Sequence, residues 1–129
     1  MELNIAVSPG ELIDKITILE IKLARIADDA KLRNIRHEHV ILSKTLASAI
    51  VDTPELAALR RELRSINETL WQVEEDIRAL ERRGDFGDRF IAAARAIYEN
   101  NDRRAEVKRG INELLGSDLI EEKSYGPAS

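Results

Sequence analysis

Apolar residues recur along the chain at alternating steps of three and four, the period that gathers them on one side of an α-helix. The cleanest run is Leu56, Leu59, Leu63, Ile66, Leu70, Val73, Ile77 and Leu80, which predicts one long helix with a heptad-like seam. Beside it run Asn67, Trp71, Glu74 and Arg78, spaced to share a neighbouring face. An earlier run, Leu12, Ile16, Leu19, Leu23 and Ile26, is widened by Ile13, Ile18 and Ile21. A helix apolar on so many sides is covered on more than one face, so it is central or lies at a subunit contact. The phase then shifts to Leu32, Ile35, His39, Leu42 and Leu46, which places a turn at residues 27–31 with Asp28 or Asp29 as cap. No Gly or Pro enforces that turn, and one bent helix over residues 9–51 is the alternative.

Other boundaries carry firmer signals. Ser8-Pro9-Gly10-Glu11 predicts a capping box, with Ser8 accepting from the Glu11 amide, Glu11 reaching back to the Ser8 amide, and Pro9 opening the helix. Thr53-Pro54 restarts the chain after Asp52, and Gly84 supplies the left-handed residue that ends the third helix. The last helical segment, 86–115, carries Phe90, Ala93 and Ile97 and then Val107, Ile111 and Leu114, but its seam is interrupted at Asn100 and Arg104. Residues 3–7 alternate Leu-Asn-Ile-Ala-Val and predict an extended arm along the bundle; composition alone leaves residues 117–129 a loose tail. The expected fold is all-α, an antiparallel helical bundle of three to four helices with a short extended N-terminal segment. It forms one domain over residues 1–129, with the arm at 1–7 and the tail at 117–129.

Composition narrows the function more than the fold. Ala, Glu, Lys, Leu and Arg make up about half of the 129 residues, the profile of long helices and coiled coils. A net charge of -4 argues against a nucleic-acid or membrane-surface binder, and no apolar run is long enough to insert into a membrane. With no cysteine there is no disulfide framework and no thiolate chemistry, and the expected location is the cytoplasm. The breadth of the first apolar helix predicts a homodimer, with a protein partner as a further expectation.

The interrupted seam directs attention to polar positions inside the bundle. Folding the chain about its predicted turns brings Glu20, His39, Asn67 and Asn101 towards one layer, with Trp71 and Arg104 about a turn to either side. That layer has two readings. Polar residues on a seam fix register, and Arg104 then needs a carboxylate such as Glu20 or Glu74. Alternatively, Trp71, Ile97 and Tyr98 wall a pocket in which Arg104, with Arg95 or Lys108, holds a phosphate or carboxylate, leaving Glu20 or His39 as proton-transfer groups. The candidate set is therefore Glu20, His39, Asn67, Trp71, Glu74, Arg95, Tyr98, Asn101 and Arg104. No catalytic residue is assigned and no cofactor is expected. No metal site is expected either, since His37 and His39 are two apart and face different sides of a helix.

Several segments together resemble a small bacterial family of unknown function: residues 8–23, Asn67 with Trp71 and Glu74, Phe90-Ile91 with Ala94-Arg95 and Ile97-Tyr98, residues 101–105, and Glu121-Glu122-Lys123-Ser124-Tyr125. The resemblance implies that the tail belongs to the fold. It also implies a setting near tetratricopeptide and glycosyltransferase-type proteins, and so a link to envelope-glycan machinery. It brings no activity, cofactor or catalytic residue. The expected function is a non-enzymatic interaction or assembly domain; the alternative is a small-anion binding protein or enzyme built around Arg104.

Overall fold

The structure is a computed structural model that describes residues 1–124. Four helices run α1 (Pro9–Arg25), α2 (Asp29–Ala49), α3 (Pro54–Arg82) and α4 (Asp88–Leu114), with no strand among the described residues. Each of the first three begins on a side-chain cap that satisfies an otherwise free amide: Ser8 on Glu11, Asp28 on Lys31 and Thr53 on Leu56. The capping box is only half made. Glu11 does not return to Ser8 but turns to Lys108 of α4, 2.6 Å away, a stronger charge-assisted partner. Asp28 ends the alternative of one bent helix, because its carboxylate caps Lys31 at 2.9 Å and starts α2 afresh. Gly84 (φ 67°) lets the Asp85 amide return to the Leu80 carbonyl at 2.9 Å, which closes α3 and reverses the chain.

The helices alternate in direction around α1, which touches all three others, whereas the backbone of α2 approaches α1 alone. Leu12, Ile13 and Ile16 of α1 meet Leu46 of α2, Leu56, Leu63, Ile66 and Leu70 of α3, and Val107 and Ile111 of α4 in one core. Each side chain fully buried there contributes about 1.5–3 kcal/mol. Of the two explanations for so many apolar positions on the first helix, central placement within one chain accounts for them without a second subunit.

Helix lengths differ enough to shape the molecule. The C-terminal end of α1 is marked by Arg25, whose Nη1 lies 3.4 Å from Gln72 of α3. From Gln72 the ten residues to Arg82 carry α3 about 15 Å further, at 1.5 Å per residue, with α4 returning beside it. This α3–α4 arm stands clear of α1. In the segment at 1–7, Leu3 is 81% and Ile5 79% exposed, while Ile5 and Val7 line a cavity with Leu12, Ile50 and Leu115.

Candidate functional site

The site begins with a glycine. Gly10 packs so tightly on α4 that a Cβ would lie 2.5 Å from the Lys108 carbonyl oxygen, and its amide donates to Asn112 Oδ1 at 2.7 Å. That approach sets the next turn of α1, Glu11 and Asp14, against Lys108 and Arg104 on successive turns of α4. Asp14 is 1% exposed. Its carboxylate accepts from Arg104 Nε at 3.0 Å and from Arg104 Nη2, and Oδ1 also accepts from Asn67 Nδ2 at 2.9 Å. Lys108 Nζ lies 3.7 Å from the same carboxylate, 2.6 Å from Glu11 and 3.2 Å from Glu121. Three helices and the tail are thereby tied at one level.

The neighbours of Arg104, Lys108 and Glu121 favour the charged form of each of these three. The hydrogen bond to Asp14 raises the pKa of Arg104 against the opposing effect of burial. Burial alone would lower that of Lys108, but its hydrogen bond to Glu11 and the charges of Asp14 and Glu11 carry it above its usual value. Glu121 sits below the usual carboxylate value because Lys108 donates to it.

Two cavities flank Arg104 and Asn101. One is a cleft of about 530 Å³ where α1 ends short of the arm, with Ile18, Ile21, Leu70 and Trp71 as its apolar lining and Asn67, Glu74, Glu75 and Arg78 among its polar groups. The other, about 240 Å³, is polar and lined by Glu11, Asn101, Arg104, Ala105, Lys108, Glu121 and Lys123. The acids at the cleft are engaged: Trp71 Nε1 donates to Glu75 at 3.0 Å, and Arg78 Nε to Glu74 at 3.4 Å. Asp14 is pinned by three donor groups from α3 and α4.

A family model described as a family of unknown function, DUF6165, matches residues 3–129. The chain belongs to that family. Neither the curated proteins nor the solved structures offer a match. Membership in DUF6165 carries no activity with it, so function has to be argued from the site itself.

Within this DUF6165 chain the expected polar layer divides in two. Asn67, Asn101 and Arg104 meet at Asp14 and the two cavities, with Trp71 and Glu74 lining the cleft. Glu20 and His39 lie together elsewhere, 3.9 Å apart, with Arg64 3.8 Å from Glu20, and neither lines either cavity. His39 Nε2 is buried without a hydrogen-bond partner among the described residues. Arg95 and Tyr98 are exposed on α4 and do not reach the cleft, nor does Ile97 line it. Folding about the turns sets height along the bundle but not azimuth, and six residues along α1 separate Asp14 from Glu20 by about a third of a turn. Asn100, the other interrupted seam position, turns its amide back onto Ala96 of its own helix at 2.8 Å.

Asp14 is the residue that sequence reasoning missed. A signal was present, because a carboxylate between Ile13 and Ile16 on a helix apolar all round must find a partner or stay neutral. Tyr125, which carried part of the resemblance, and residues 125–129 of the expected tail lie outside the described residues. Among the described residues no group of three or more His, Cys, Asp or Glu could hold a metal ion, and no helix is long and apolar enough to cross a membrane.

Proposed function

We propose that the protein is a non-enzymatic assembly domain whose α3–α4 arm and adjoining cleft receive the same surface of a second copy. The observation that carries this reading is the half-buried stripe Phe90, Ala94, Ile97, Asn101 and Arg104, spaced four and three along α4 and leading from the arm into the cleft. Where α1 accompanies α3 and α4, the facing positions Leu63, Ile66 and Ile111 are at most 2% exposed. Beyond the end of α1 only two helices remain, and Val73, Ile77, Phe90 and Ile97 stay half-exposed. Two such arms laid together make four helices, the number that encloses a bundle core.

The rim favours a copy of this chain as the occupant. Glu74 and Arg78 stand one turn apart with opposite charge, so a twofold axis between them sets each against its opposite on the partner. Aromatic Trp71 lies beside them at the cleft, the residue type most enriched where interfaces concentrate their binding energy.

Light scattering across the micromolar range tests the reading, with an expected mass of twice 14.6 kDa. Ile97→Glu is expected to return the protein to monomer with its helical circular dichroism intact. Glu74→Arg or Arg78→Glu alone weakens the dimer, and the double exchange restores it. A mass of one chain at every concentration, or a dimer indifferent to all these changes, overturns the reading.

A further inference from the structure

A further cavity of about 240 Å³ lies between α1 and α3, lined by Thr17 and Glu20 of the first helix and Arg60, Arg61 and Arg64 of the second. Three guanidinium groups thus line it with one carboxylate. Arg64 is partnered: its Nε donates to Glu68 at 2.9 Å and its Nη1 lies 3.8 Å from Glu20. Arg60 and Arg61 make no hydrogen bond or ion pair among the described residues. Their own helix offers them no acid, since the positions three and four away are Leu56, Ala57, Ala58, Leu63, Arg64 and Ser65. Elsewhere on α3 the ordinary pairing holds, Arg64 on Glu68 and Arg78 on Glu74, four residues apart. Counting Glu68 with Glu20, three cations stand against two acids, and all five residues are fixed on helices. Glu20 is loosely held. Its Oε1 lies 3.8 Å from Arg64 and its Oε2 3.9 Å from His39 Nε2, a hydrogen bond to neither. His39 Nε2 is itself buried without a hydrogen-bond partner among the described residues, a costly state for an N–H. A carboxylate shift of about 1 Å brings that contact to ordinary hydrogen-bond length.

We propose that this cavity binds an oxyanion of the phosphate class on Arg60, Arg61 and Arg64, and that Glu20 closes on His39 as the anion enters. With Glu68 on Arg64 and Glu20 on the Nε2–H tautomer of His39, two charges are left to meet, those of Arg60 and Arg61. A phosphate group brings close to two negative charges and three acceptor oxygens, which planar guanidinium forks engage in pairs. A lone carboxylate has one charge and leaves one arginine unmatched. Thr17 gives its hydroxyl proton to the Ile13 carbonyl at 2.8 Å, so the donors to the anion are the arginines. No covalent bond is made or broken. The phosphate is free or carried on a small molecule. No residue lining the cleft of the proposed dimer lines this cavity, so the two readings stand or fall separately.

The full chain is titrated by calorimetry and NMR with inorganic phosphate and with a sugar 1-phosphate, against sodium chloride and sodium acetate at matched ionic strength. Saturable binding beyond both controls is expected. Arg60→Gln and Arg61→Gln should each weaken it roughly tenfold, as loss of a charge-assisted hydrogen bond does, and the double change should abolish it. Arg60 is half-buried and Arg61 exposed, and circular dichroism checks that the double variant keeps its helices. Arg82→Gln removes the same charge at the far end of α3 and should leave binding unchanged. Glu20→Gln takes away the one acid lining the cavity and should tighten binding about two- to fivefold. The ring resonances of His39 should shift on saturation as Glu20 reaches Nε2. Tighter binding of the sugar phosphate assigns the site to a phosphorylated small molecule, and equal binding assigns it to the phosphate group alone. Phosphate that binds no better than chloride or acetate, a folded double variant that binds as the wild type does, or an equal loss in Arg82→Gln would overturn the proposal. His39 resonances that stay in place at saturation would overturn the part given to Glu20.

Discussion

At the scale of single residues, the fold is most exposed to failure at Asp14. A carboxylate that is 1% accessible has Arg104, Asn67 and Lys108 as its neighbours, so removing one of them leaves a buried polar group short of a partner, which costs more than the pair contributes. Arg104→Ala is therefore expected to lower stability by about 3–5 kcal/mol in urea unfolding, with an unchanged m-value. Replacing both members, Asp14→Leu with Arg104→Met, removes the stranded charge and should recover most of that loss. A double-mutant cycle with no coupling between the two positions would mean that the ion pair does not hold the helices together. Gly10→Ala tests the neighbouring contact. Its methyl group has a backbone carbonyl at 2.5 Å, which cannot rotate aside as a side chain does, so α1 must move away from α4. A destabilisation of about 1–3 kcal/mol is expected, visible as a lowered urea midpoint. The interrupted seam leaves Arg104 a carboxylate, water or a bound anion as partner, and in the fold it finds Asp14. Which carboxylate depended on the rotation of α1, which a pattern with apolar residues on several sides leaves undetermined.

At the scale of elements, helix boundaries were the most legible feature, because caps and breakers are local chemistry. Thr53-Pro54 opens α3 and Gly84 closes it as their side chains and backbone freedom require, and the long seam from Leu56 to Leu80 lies on one uninterrupted helix. The tail was less legible. Its composition indicates loose chain, but the described part is clipped to α4 by contacts that become visible only when Lys108 and Arg109 are placed beside Glu121 and Glu122. These clips predict a pH dependence. Because Lys108 depresses the pKa of Glu121, this pair contributes fully above the ordinary carboxylate value of 4.5 and is lost as pH falls through the lowered one. Lys108, whose pKa is raised, contributes fully below its ordinary 10.5 and loses its charge as pH rises through the higher value. The side-chain carboxyl resonance of Glu121 should therefore titrate below the usual range, and Lys108→Gln should return it to that range. A Glu121 titration that is the same in both proteins would show that the tail is held by something else.

At the scale of the whole molecule, the arrangement is uneven: one central helix, a long α3–α4 hairpin against it, and α2, whose backbone approaches α1 alone. Of the 21 residues in α2, only Ile35 and Leu46 are buried, whereas eight of the 17 in α1 are, Asp14 among them. No ion pair joins α2 to α3 or α4 among the described residues, and towards α1 His39 comes within 3.9 Å of Glu20. Local opening follows buried contact, so α2 should detach before the rest unfolds. Native-state hydrogen exchange is expected to show amides of α2 exchanging through a lower-energy opening than those of α1 and the facing turns of α3 and α4. Leu46→Ala, which truncates one of the two anchors of α2, should lower that opening energy by about 2–5 kcal/mol while moving global unfolding by no more. Equal protection of α1 and α2, with both exchanging only through global unfolding, would mean that the four helices open as one unit. In that case the shared core around Leu46 and Leu56, rather than backbone proximity, sets the cooperativity.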